Sequence, residues 1–177
     1  MELKLVRPDV QYRDSFLAGF RELEIRTEQS SWNYLGDAAA LDIPKRDFEE
    51  FVRSLLLRET VAAPGFVRDT VYWATLGDEV VGRIAIRHEL NEFLAMVGGH
   101  VGYIVRPSYR KRGVATEMLR LLLLEPISRN IGRILLTCDE SNEGSIKTIL
   151  KNGGVFDQTL NIGSERARKN HYWITLS

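Results

Sequence analysis

VRPSYRKRGVATEML, residues 105–119, carries the end of an apolar strand through a proline-containing turn and three consecutive cations into a run that turns helical at Gly113. Arg110, Gly113 and Ala115 form an R-x-x-G-x-A pattern where that helix starts. A helix N-terminus presents unpaired N–H groups and the positive end of a dipole, so such a turn suits a diphosphate. Gly113 can take backbone angles closed to other residues, Ala115 adds only a methyl, and Arg110, Lys111 and Arg112 bring positive charge. The plainer reading is a strand-to-helix turn with a basic, solvated rim, because short glycine patterns recur by chance.

Upstream of this segment, residues 100–105 read as a short strand entered through Gly98-Gly99. Residues 70–76 and 80–89 read as a hairpin turning at Gly77-Asp78. Alternation places Gly82, Ile84, Ile86 and His88 on one face of the second strand and Arg83, Ala85, Arg87 and Glu89 on the other. Further back, residues 3–6 suggest a strand, and Pro8-Asp9 a break with a plausible cap. Tyr12, Phe16, Phe20 and Leu23 then fall on one face of a helix. Residues 30–37 read as a loop, and Phe48, Phe51, Val52, Leu55 and Leu56 repeat the helical spacing.

Downstream, Val114, Met118, Leu119, Leu122 and Leu123 mark the apolar side of the helix that begins at Gly113, and Pro126 predicts a kink or early stop. Residues 133–138 form an apolar strand, 142–152 a helix closed by Gly153-Gly154, and 155–160 and 171–176 two further strands. Strands alternating with helices after two initial helices predict a layered α/β fold, a mixed sheet covered on both faces.

A chain of 177 residues, 44% hydrophobic and 27% charged, has the size and composition of one globular domain, spanning 1–177. The apolar run at 121–124 is far shorter than the roughly 20 residues a bilayer requires, and the N-terminus lacks the pattern of a secretory signal. A single cysteine, Cys138, cannot close an internal disulfide and reads as an inert core thiol. These features predict a cytoplasmic address and no membrane partner. Lys plus Arg equals Asp plus Glu at 24 each, which argues against nucleic acid as a partner despite the cluster at 110–112.

The turn at 110–115 and the segment TCDESNEGSIKTILKNGG, residues 137–154, together resemble the GNAT superfamily of N-acetyltransferases. That family carries Q/R-x-x-G-x-G/A after a strand, then a strand followed by an Asn-x-x-Ser/Ala helix and Lys-x-Gly. The resemblance covers roughly the last hundred residues, and it implies a GNAT-like, mostly antiparallel central sheet and acetyl-CoA as co-substrate. By resemblance, the cofactor would lie against Tyr103, Ile104 and Val105, the turn residues Arg110, Lys111, Arg112, Gly113, Val114, Ala115 and Thr116, and Asn142 and Ser145. A substrate amine, on a small molecule or a protein, would attack the thioester directly. No covalent enzyme intermediate and no metal are implied.

An amine with a pKa near ~10 must first lose a proton. His88, Glu89 and His100 are candidate bases by their positions at strand ends, although a strand-end histidine is commonly structural and Glu89 could simply pair with Arg87 or Arg83. The family's usual tyrosine, seven residues after the helix asparagine, is replaced by Ile149, which leaves the general acid unassigned unless Tyr172 reaches in from the last strand. That replacement also sustains an alternative, a catalytically silent acyl-CoA-binding module. The resemblance places the acceptor between the first two helices and the loop NIGSERARKNH, residues 161–171, where Glu165, Arg166, Arg168 and Lys169 could meet an acidic or zwitterionic acceptor. Homodimerisation is common in the family, and nothing in this sequence decides the oligomeric state.

Overall fold

The structure, a computed structural model, describes residues 2–25, 47–163 and 168–176. The expected loop at 30–37 and the acceptor-loop residues Glu165 and Arg166 lie outside the described residues.

Strands β1 (Leu3–Val6), β2 (Asp69–Leu76), β3 (Glu79–Arg87) and β4 (Val101–Val105) form one antiparallel sheet in the order β1-β2-β3-β4. Strands β5 (Arg133–Asp139), β6 (Val155–Leu160) and β7 (Lys169–Thr175) form a second antiparallel sheet in the order β5-β7-β6. β4 and β5 are neighbours that share no ladder. They meet at the entrance to β4, where the His100 N–H donates to the Leu135 carbonyl at 2.7 Å and the Leu135 N–H donates to His100 Nδ1 at 2.9 Å.

Helices cover both faces, as the sequence predicts. Asp9 caps a 3₁₀ turn (Val10–Tyr12) that leads into α1 (Arg13–Ile25), and α2 (Phe48–Leu57) starts at its cap Asp47. Phe16, Phe20 and Leu23 of α1 pack with Phe48, Phe51, Val52 and Leu55 of α2 onto Val71, Trp73 and Ala85. Phe16 stacks on the fully buried Trp73 with ring centroids 4.7 Å apart, an arrangement that favours one register beyond its buried area. Leu56, expected on the buried stripe, is exposed.

On the opposite face lie α3 (Val114–Leu124), α4 (Pro126–Ile131) and α5 (Glu143–Lys151). Pro126 breaks the helix as expected, and the chain resumes at once as α4 rather than stopping. Met118, Leu119 and Leu122 of α3 and Ile149 of α5 are buried in one core with Ile84 and Ile86 of β3 and Ile134, Leu136 and Cys138 of β5. This core holds the two sheets together where their backbones do not pair. A π-type turn (Leu94–Gly98) precedes β4, and it is held by side chains from the second sheet: His171 Nε2 lies 2.8 Å from the Met96 carbonyl, and Thr137 Oγ1 donates to the Val97 carbonyl at 2.6 Å.

Candidate active site

Gly113, at φ +80°, is the N-cap of α3, and no side chain caps that end. The other two long helices with assigned caps differ: Asp47 accepts from the Glu50 N–H at 2.9 Å, and Asn142 from the Ser145 N–H at 3.0 Å. Lys111 is also left-handed, at φ +61°, a conformation that costs a residue with a Cβ ~1 kcal/mol and persists only where the surroundings impose it. Two such residues within three positions curl the turn so that successive main-chain N–H groups can face one hollow. A Cβ added at Gly113 would meet nothing within 4 Å, so the space in front of the turn is open.

That space is a cavity of about 710 Å³ between the ends of β4, α3 and α5. Eleven of the twelve residues expected around a cofactor line it: Tyr103, Ile104, Val105, Arg110, Lys111, Gly113, Val114, Ala115, Thr116, Asn142 and Ser145. The twelfth, Arg112, does not; its guanidinium lies 5.5 Å from the centre of the Tyr109 ring. Tyr109, Glu143, Gly144, Lys147, Thr148 and Lys151 complete the lining. Lys147, paired with Glu143 at 2.9 Å, and Lys151, one helical turn further on, line the α5 side of the cavity. The Thr116 and Thr148 hydroxyls lie 3.4 Å apart, and Asn152 Nδ2 donates to the Thr116 and Thr148 carbonyls at 3.1 and 2.9 Å, which fastens α5 to the start of α3.

A second cavity of about 370 Å³ fills the gap between β4 and β5 and shares Tyr103, Asn142 and Ser145 with the first. Leu136, Cys138 and Ile149 line it from the α3/α5 side, while Thr137, Asp139 and Lys169 alternate onto the other face of the second sheet. Lys169 pairs with Asp139. The splay of the two sheets thus sets the two cavities side by side, with the Asp139–Lys169 ion pair lining the second. Ile149 is held against Gly154, whose added Cβ would fall 2.3 Å from its Cγ2. Burial, with the Asp139 charge beside it, raises the Cys138 thiol to about 11 against a partial offset from Lys169, so the thiol is inert at neutral pH.

The three candidate bases line neither cavity. Glu89 is exposed. His88 Nε2 is 2.8 Å from the Thr70 hydroxyl, and burial, with the Arg68 charge, lowers its pKa. His100 is buried, and burial together with the Arg87 charge lowers its pKa to about 4. Its Nδ1 accepts the Leu135 N–H, so the neutral ring carries its proton on Nε2 and has no free lone pair. Tyr172 is buried in the core, its hydroxyl 3.4 Å from Asn170 Nδ2, and it too lines neither cavity. Among the described residues no helix is long and apolar enough to cross a membrane.

The sequence model of the acetyltransferase (GNAT) family matches residues 24–153. No curated protein sequence matches the chain. Solved structures with the same fold include the microcin C7 self-immunity acetyltransferase MccE in complex with acetyl-CoA and AMP, at 16% identity and TM-score 0.67, covering 99% of this chain and 93% of that one. An acetyltransferase from Salmonella typhimurium that modifies the N-terminal serine of ribosomal protein L7/L12 matches at 15% identity and TM-score 0.66, over 99% and 95% of the two chains. The L7/L12 α-N-acetyltransferase RimL in complex with coenzyme A matches at 16% identity and TM-score 0.65, over 98% and 94%. At these identities the likeness speaks for the fold, while the sequence match covers most of the chain and includes both the turn and the α5 motif. The chain is a member of the acetyltransferase (GNAT) family.

Proposed function

We propose that the protein transfers an acetyl group from acetyl-CoA to an amine of a small molecule or a protein by direct attack in a ternary complex. The observation that carries this reading is the uncapped start of α3 at Gly113, opening onto a cation-lined hollow that continues into the gap between β4 and β5. The donor set suits a diphosphate: main-chain N–H groups of a helix start, left-handed turn residues, and Arg110, Lys111, Lys147 and Lys151. A pantetheine arm would run beside β4 on the side away from β3, its pairing partner among the described residues, and a bound thioester would supply the electrophilic carbonyl. A main-chain N–H of that strand is suited to hold the oxyanion.

In this reading the proton of the acceptor amine leaves to water rather than to His100, which lines neither cavity and would have to break its bond to Leu135 before it could act as a base. With Ile149 at the tyrosine position, the thiolate departs without a protein acid; a thiol pKa near ~8.5 makes that feasible at neutral pH. The same isoleucine favours the second reading, a module that binds acyl-CoA without turning it over.

Calorimetry with acetyl-CoA on the native protein and on Gly113→Glu tests the reading. A carboxylate facing the diphosphate, worth ~4 kcal/mol at 4 Å in an effective dielectric of ~20, should weaken binding by roughly 100-fold or more. Unchanged affinity would remove the turn from the site. Thiol release scored over a panel of amines separates the enzyme from the silent module.

A further inference from the structure

The diphosphate turn is gripped from outside by α1. Glu22 spends both carboxylate oxygens on it: Arg106 Nε donates to Oε1 at 2.7 Å, the Ser108 hydroxyl to Oε1 at 3.2 Å and the Ser108 N–H to Oε2 at 3.1 Å. These contacts span more than eighty residues of sequence, and both side chains are largely withdrawn from water, Arg106 at 15% exposure and Glu22 at 29%. The site is shaped for the contact. Gly19 lies one turn before Glu22, and a Cβ there would come within 3.2 Å of Arg106 Cδ, so the missing side chain lets the arginine stem lie along the helix. The Arg106 N–H donates to the Val81 carbonyl at 2.9 Å, its guanidinium lies 5.6 Å from the Tyr109 ring centre, and the Tyr109 hydroxyl donates to Glu79. Residues 106–109 are thus fixed at several points immediately before the strained Lys111 and the uncapped Gly113.

Burial tends to raise the Glu22 pKa, but the hydrogen bonds from Arg106 and Ser108 and the Arg106 charge outweigh it, and the carboxyl lies below its usual range. The carboxylate is accordingly charged at neutral pH. Glu22 lies just before residues 24–153, the span matched by the family, while Arg106 and Ser108 lie within it.

We infer that Glu22 is a positioning residue that locks α1 to the diphosphate turn, so that binding acetyl-CoA and ordering α1 favour one another. This rests on the reading of the turn as the cofactor site. A left-handed lysine persists only where its surroundings impose it, and the Glu22 contacts are among the tertiary ones that fix the chain just before it. Linkage then runs both ways: cofactor in the hollow tightens the turn, the turn tightens α1, and α1 packs against α2 through Phe16 and Phe20. The helices on the acceptor side would register the arrival of the donor.

The test uses the full chain, acetyl-CoA and three proteins: native, Glu22→Gln and Glu22→Ala. Glutamine keeps the shape and an acceptor oxygen but loses the charge, so it guards against a misfolded alanine variant. Calorimetry should give acetyl-CoA affinity about tenfold weaker in Glu22→Ala, with Glu22→Gln between it and the native protein, as expected for charge-assisted hydrogen bonds. Hydrogen exchange should show amides of residues 13–25 protected by acetyl-CoA in the native protein and not in Glu22→Ala, a change that a merely stabilising ion pair would not produce. Equal affinity and equal protection in folded variants would overturn the lock while leaving the cofactor site standing. Failure of the native protein to bind acetyl-CoA would overturn both.

Discussion

Replacing His100 with asparagine should remove a pH dependence of stability while keeping the bond that joins the two sheets. Asparagine Oδ1 can accept the Leu135 N–H much as His100 Nδ1 does at 2.9 Å, but it does not titrate. In the folded protein, burial and the Arg87 charge lower the His100 pKa from 6.5 to about 4. Between those values the unfolded chain binds a proton that the native state excludes. The stability associated with the neutral ring is therefore complete above the unfolded value and is lost as the pH falls toward the folded one. At 1.36 kcal/mol per pKa unit the whole window is worth about 3 kcal/mol, most of it gone by about pH 4.5. Urea unfolding followed by tryptophan fluorescence, repeated from about pH 7.5 down to about pH 4.5, should show the native protein losing roughly 2–3 kcal/mol more than His100→Asn. His88, whose pKa is also lowered, and the carboxylates titrate in both proteins and cancel in the difference. Parallel stability curves would refute the argument, because they would mean that the ring takes up a proton without disturbing Leu135.

Two other perturbations probe the same junction. Cys138, raised to about 11, should resist an aromatic disulfide reagent at about pH 8 in the native protein and react once on unfolding; rapid reaction of the native chain would show that the gap between β4 and β5 opens further than its packing implies. Gly99→Ala would bring a Cβ within 2.6 Å of the Leu135 carbonyl oxygen at a residue with φ +61°, so thermal unfolding should reveal a loss of roughly 3 kcal/mol, whereas an unchanged midpoint would mean that β5 can yield there.

The helices were legible because their apolar spacing is dictated by what they cover: Phe16, Phe20 and Leu23 sit as the period requires. Leu56 fits the period too, yet it stays exposed while its neighbour Leu55 is buried. The turn at Leu94–Gly98 left no periodic trace, since partners from β5 and β7 hold it. At the site, glycine and charge in one short segment sufficed to find the hollow. Arg112, expected with its neighbours at the hollow, does not line it, because its guanidinium lies over the Tyr109 ring, a contact that the spacing of the motif does not encode. Lys147, Thr148 and Lys151 were missed because the face of α5 that meets the hollow is defined only once Asn152 fastens it to Thr116. The candidate bases rest on their positions at strand ends. Whether a ring nitrogen is already committed is a tertiary fact, and Leu135 is thirty-five residues away from His100.

The order β5-β7-β6 has a consequence for how the chain comes into being. The middle strand of the second sheet is the last of the three to be synthesised, so β5 and β6 emerge from the ribosome with nothing between them. Until residues 169–175 arrive, each presents bare backbone groups along a flank, and β6 adds the uncovered Val155 and Phe156. With this order the sheet can be completed only once β7 is available to pair with both β5 and β6.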